Sequence, residues 1–242
     1  MIQHLPNYYT IFFGLTTLFA LVLFFRVVDN AKKCEVNINS ANIIIAITFW
    51  LILQAFLSFK NIYSKNVDMF PPFIALFGTI PTFITIALLF VTKKGRVFID
   101  ALPTKHLTQI HLVRIPVEIM FYLLLLQKAI PQIMTFTGFN FDILAGLSVI
   151  IILYLAFKKR TLSNKALLTW NIISLLLLIN IIVIAVLSAP TPMQVFGLEQ
   201  PNIAILHFPY SFLPTFIAPL VLLSHLIVIR RLVLNQPIHA DE

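Results

Sequence analysis

Residues 106–118 read His-Leu-Thr-Gln-Ile-His-Leu-Val-Arg-Ile-Pro-Val-Glu within an otherwise apolar stretch. His111, Arg114 and Glu118 are spaced i, i+3, i+7, which places them on one stripe of a helix. Ionisable groups inside hydrocarbon are costly and turn toward the interior of a bundle, where they mark a site by default. Arg114 offers a guanidinium to an anionic ligand. Glu118, one turn on, either neutralises Arg114 or exchanges a proton. Pro116 withdraws a backbone N–H and so frees a carbonyl one turn earlier. The competing role for the pair is packing alone.

His225 lies about one turn from the end of the last apolar run, at a depth similar to that of His111. Two imidazoles at one depth point to a b-type haem iron or a shared divalent metal. His207 is too far along the same run to join them. Asp142 opens the fifth run, where a first-turn carboxylate satisfies free amides and the helix dipole. Trp170-Asn171 and Asn180 on the sixth run, and Trp50 with Gln54 on the second, either bond neighbouring helices or line a polar cavity with Arg114 and Glu118.

The elements that must position these groups follow from composition. Of the 242 residues, 60% are hydrophobic and 11% charged, with a mean hydropathy of +0.96. A soluble domain carries about 25% charged residues, so a water-soluble globule is excluded. The apolar runs have the ~20-residue length of membrane helices and lack the two-residue alternation of a barrel. The reading is an all-α, polytopic seven-helix bundle forming one domain over 1–242, with spans near 8–25, 41–59, 70–92, 108–127, 141–157, 165–188 and 203–229. Cys34 is the only cysteine, so an intrachain disulfide is impossible. No charged segment precedes the first run, which is expected to stay as a helix rather than be removed as a signal peptide.

Orientation comes from the basic residues. Arg26, Lys32, Lys33, Lys93, Lys94, Arg96, Lys105, Lys158, Lys159, Arg160, Lys165, Arg230 and Arg231 fall on one side, against Lys60, Lys65 and Lys128 on the other. Thirteen against three places the amino terminus outside and the carboxyl terminus in the cytoplasm. The net charge of +8 thus reports topology, and no nucleic-acid partner is expected. Residues 97–107 read as either a short interfacial segment or a plain linker.

Shifts of 132 and 133 superpose Gly14-Leu15-Thr16 on Gly146-Leu147-Ser148 and Pro81-Thr82-Phe83-Ile84 on Pro214-Thr215-Phe216-Ile217. The second run and the sixth do not align this way, so a three plus one plus three duplication and chance resemblance both stay open. Fourteen prolines against six glycines favour kinked helices over close glycine-mediated crossings. Pro71, Pro72 and Pro81 in the third run, and Pro209, Pro214 and Pro219 in the seventh, mark breaks of the kind that frame transporter sites. Every lysine lies at a span end or in a loop, which removes a retinal Schiff base. No His-x-x-x-His pair, Gly-x-Ser-x-Gly or His-Glu-x-x-His supports an enzyme.

The run from His111 to Glu118, the segment Asn140-Phe141-Asp142-Ile143-Leu144-Ala145-Gly146, Trp170-Asn171, the loop 187–192 with Gln194, Gln200-Pro201-Asn202 and Phe208-Pro209 through His225 together resemble an uncharacterised family of bacterial, Bacteroidetes-like seven-span membrane proteins. The resemblance covers roughly residues 93–232. It implies a bacterial inner membrane and Arg114, Glu118, Asp142, Asn171 and Gln194 as motif positions. His207 stands where an aromatic residue belongs in that pattern.

These readings converge on a non-enzymatic carrier or binding protein for a small anionic or lipophilic ligand, held by Arg114, Glu118, His111, Asp142, Asn171, Asn180 and Gln194. Two others stand beside it: a haem or metal redox protein using His111 and His225, and a structural or assembly subunit.

Overall fold

The computed structural model describes residues 5–31 and 40–236. Lys32, Lys33 and Cys34, which enter the charge count and the disulfide argument, lie outside the described residues. All regular structure among the described residues is helical. The order is α1 (Asn7–Ala31), α2 (Ser40–Phe59), α3 (Ile62–Lys65), α4 (Ile80–Val91), α5 (Lys93–Ala101), α6 (Thr104–Ile110), α7 (Arg114–Leu126), α8 (Asp142–Leu153), α9 (Asn164–Leu187) and α10 (Ala218–Val233). A 3-10 turn over His111–Val113 joins α6 to α7. Single π-helical turns sit at Ala75–Thr79, Tyr154–Lys158 and Leu213–Ile217.

Five stretches are long and apolar enough to cross a membrane: α1, α2, Thr104–Leu126, α9 and Leu213–Val233. A sixth is the pair Ala75–Val91 and Lys93–Ala101, bent by 91°. The bend carries α5 across the end of α4, and Arg230 holds Asp100 at 3.2 Å from α10. The fifth expected span is α8 with its π turn, twelve and five residues long. The seventh starts later than hydropathy suggests: in 203–212 the chain makes a 3-10 turn and loop, and the membrane-length helix begins at Leu213. Pro209 and Pro214 have no N–H to give and disfavour helix in the residue before them.

The prolines and the π turns explain how α2 is attached. Pro81 cannot donate to the Phe77 carbonyl four residues back, and that carbonyl accepts from Gln54 Nε2 at 3.0 Å. Pro219 leaves the Thr215 carbonyl in the same position, and Trp50 Nε1 donates to it at 3.0 Å. Ser58 Oγ donates to Ser211 Oγ at 2.6 Å. Trp50, Gln54 and Ser58, spaced i, i+4, i+8, thus form a polar stripe in which Trp50 and Gln54 replace donors the broken helices lost. Ser40, Gln54 and Ser58 are the buried residues of α2. Trp50→Phe or Gln54→Leu should each cost about 0.6–2 kcal/mol, read as a lower unfolding midpoint in detergent.

Kinking does not exclude close glycine crossings, contrary to the expectation from composition. A Cβ on Gly78 would lie 2.4 Å from Thr215 Cγ2, and one on Gly146 would lie 3.2 Å from Arg114 Cβ. The first glycine lets two π turns touch. The second lets α8 press against α7 at the residue that carries the charge.

Candidate functional site

Pro116 gives no N–H to the Leu112 carbonyl, and just ahead of it the helix tightens into the 3-10 turn over His111–Val113. His111, Arg114 and Glu118 follow on one buried stripe. The stripe feeds two clusters.

The first cluster surrounds Arg114. Its Nη2 lies 2.9 Å from Asp142 Oδ1 and donates to the Ser174 carbonyl at 2.9 Å. Glu118, the partner suggested by i, i+4 spacing, forms no ion pair with Arg114; its Oε1 accepts from Asn140 Nδ2 at 2.7 Å. The pairing differs because Asp142 is not at the outer edge of the bundle. Arg114 is near the middle of the 23-residue stretch Thr104–Leu126. The segment between α7 and α8 folds back along that stretch, burying Met134, Thr135 and Asn140 completely, and α8 begins at the level of Arg114. Irregular backbone at such depth is tolerated only where protein covers it. Here Asn140 Nδ2 also donates to the Met134 carbonyl at 2.9 Å, and Gly138 N donates to the Thr135 carbonyl at 2.8 Å.

Asn140 does the capping that was expected of Asp142. Its Oδ1 accepts from the Asp142 amide at 3.0 Å, which leaves the Asp142 carboxylate free to meet the guanidinium beside the positive end of the α8 dipole. Asn140 is missed as a site residue in the sequence. Its signals were an Asn two residues ahead of a helix-opening Asp and its place at the head of the 140–146 segment.

The second cluster surrounds the histidines. The His111 and His225 rings lie 4.0 Å apart at 31°. His225 Nδ1 meets Asn171 Oδ1 at 3.0 Å, His111 Nε2 meets Ser224 Oγ at 3.4 Å, and Ser224 Oγ donates to the Leu107 carbonyl at 2.5 Å. The Trp170 ring stands 5.5 Å from His111 at 78°, and its Nε1 donates to Ser148 Oγ at 2.9 Å. Two axial imidazoles hold a haem between them, and rings stacked at 4.0 Å leave no space for that plate. His111 Nδ1 and His225 Nε2 are buried without a partner, yet no group of three His, Cys, Asp or Glu that could hold a metal gathers among the described residues. The haem and metal roles do not fit this arrangement; the stacked pair does fit a packing role.

Asn180 and Gln194 join neither cluster. Asn180 Nδ2 donates to the Phe139 carbonyl at 2.8 Å, and Gln194 Nε2 to the carbonyls of Phe196 and Gly197 at 3.2 and 3.1 Å. Both tie down loops. His207 is likewise outside both clusters.

A cavity of about 120 Å³ lies beside the first cluster, with Arg114, Glu118 and Asp142 in its lining. The rest of the wall is largely aliphatic, from α7, α9 and α10, with Phe83 of α4 and Val186 of α9 at 40% and 45% exposure. The cavity therefore reaches the apolar outer surface of the bundle. Arg114 Nε and Nη1 and Glu118 Oε2 are buried with no hydrogen-bond partner. Two unmatched guanidinium nitrogens and one unmatched carboxyl oxygen beside a cavity suit an anionic or protonatable head on an apolar body.

Residues 71–233 match the family described as "Domain of unknown function (DUF8737)". That interval contains both clusters and the cavity, and leaves out α1 and α2. No curated protein and no solved structure matches the chain.

Proposed function

The chain belongs to the DUF8737 family, whose function is unknown, and from its geometry we propose a multi-pass protein of a bacterial inner membrane that binds or carries a small lipophilic ligand with an anionic group. Arg114 is the charge partner, oriented by Asp142 and the Ser174 carbonyl, and Glu118 is the carboxyl that exchanges a proton as the ligand moves. The observation that carries this reading is that Arg114, whose guanidinium Nε and Nη1 have no hydrogen-bond partner, lines a cavity that reaches the outer surface between α4 and α9. The seven spans, an outside amino terminus, a cytoplasmic carboxyl terminus and a three plus one plus three duplication belong to the same proposal. The orientation is supported by thirteen basic residues on one side against three on the other, and the duplication by the matches at shifts of 132 and 133.

The test is co-purification. Protein extracted in mild detergent should retain an anionic amphiphile detectable by mass spectrometry. The double variant Arg114→Gln, Asp142→Asn should lose it while keeping a cooperative unfolding transition. Equal retention by both proteins, or none by either, would assign the polar residues to packing and favour the structural-subunit reading.

A further inference from the structure

A second and larger cavity, of about 530 Å³, lies on the other side of the broken helix, between α1, α2, α4 and α10. The π turn Leu213–Ile217 is the partition: Pro214 and Ile217 face the Arg114 cavity, Thr215 and Phe216 face this one, and Pro219 borders both. The larger chamber lies along the half of α2 that precedes its hydrogen-bonded stripe. That stripe occupies the half from Trp50 to Ser58, while Ile43, Ala46 and Ile47 of the other half line the chamber.

The chemistry of the wall identifies the occupant. Apart from hydrocarbon side chains, the lining holds Trp50, Thr82, Thr85 and Thr215. Each has already spent its donor. Trp50 Nε1 bonds the Thr215 carbonyl at 3.0 Å, and Thr82 Oγ1 bonds the Thr79 carbonyl at 2.6 Å. Thr85 Oγ1 bonds the Pro81 carbonyl at 2.9 Å, and Thr215 Oγ1 bonds the Ser211 carbonyl at 2.8 Å. A water molecule needs two to four polar partners to stay in a cavity, and this wall offers it hydroxyl oxygens as acceptors but no free side-chain donor; the chamber is open to the outside, with Ala46 and Thr85 exposed. The volume falls within the ~300–1,000 Å³ range of small-molecule sites. Its walls belong to helices long and apolar enough to cross a membrane, or, for α4, to the bent pair.

We infer that this chamber is a specific site for one acyl chain of a membrane lipid, separate from the Arg114 cavity and independent of any head-group charge. The proposal does not rest on the function proposed for Arg114.

Trp50 reports on it directly, since Trp170 is the one other tryptophan. In a Trp170→Phe background, reconstituted in nanodiscs, a phospholipid brominated on its acyl chain should quench Trp50 fluorescence with a saturable component. Excess unbrominated lipid should compete with it. Ala46→Phe, and separately Thr85→Phe from the facing wall, should abolish that component. The double variant Arg114→Gln, Asp142→Asn, which removes both charges and strands neither, should leave it unchanged. As a second measurement on the native sequence, a photoactivatable fatty acid should label peptides within 43–50 and 81–89. Quenching that rises only in proportion to the brominated fraction and is equal in all variants would overturn the proposal in favour of ordinary surrounding lipid. Loss of the saturable component in that double variant, with its cooperative unfolding retained, would overturn its independence from the charged site. An Arg114 cavity found to bind nothing leaves these expectations unaltered.

Discussion

Asp142→Ala is expected to destabilise the protein by about 3–5 kcal/mol, the cost of leaving a buried guanidinium without its counter-charge. Arg114 and Asp142 are both almost fully buried, at 2% and 5% exposure, so water cannot replace the lost carboxylate. Replacing both partners together by apolar residues of similar volume, Arg114→Met with Asp142→Leu, should recover most of the loss, because it removes the desolvated charges rather than stranding one. A double-mutant cycle measured by unfolding in detergent separates this pair from the helix-neighbour alternative. Arg114 with Asp142 should show a coupling of about 0.5–3 kcal/mol, and Arg114 with Glu118 a clearly smaller one. The reverse order would contradict the 2.9 Å contact as the principal neutralising pair.

Gly78→Ala carries the second large effect, and two terms oppose each other in it. Ala is favoured over Gly in a helix by about 0.8–1.0 kcal/mol. Against that, the new Cβ would sit 2.4 Å from Thr215 Cγ2 and 3.2 Å from Gln54 Oε1, an overlap that forces the two π turns apart. Overpacking of a closed contact costs about 1–3 kcal/mol, and separating the turns also strains the bonds from Trp50 and Gln54 to their carbonyls. The net result should be a loss of stability. Thr215→Ser removes the obstructing methyl and keeps the hydroxyl that bonds the Ser211 carbonyl. It should therefore suppress Gly78→Ala, and unfolding midpoints of the two single variants and the double variant check this.

Much of the fold is legible in the chain. The helical character, and five stretches long and apolar enough to cross a membrane, follow from runs that must satisfy their own amides. The breaks at 75–79 and 213–217 were foreshadowed by Pro81, Pro214 and Pro219. The i, i+4 pair Trp50 and Gln54 stood out as polar residues on an apolar helix, but not as the donors for the carbonyls those breaks release. That role depends on where α2 lies against α4 and α10, which no periodicity encodes.

The charged stripe shows the same division. Helical spacing by itself places His111, Arg114 and Glu118 on one buried face, because a 3.6-residue period is a local property of the backbone. The tertiary structure alone decides that they serve different clusters. His111 stacks on His225, Glu118 bonds Asn140, and Arg114 pairs with Asp142 after the segment from 127 to 141 folds back into the bundle. A desolvated charge takes the counter-charge nearest in space whatever its distance along the chain, and that nearness was created by an inward loop whose course only packing determines.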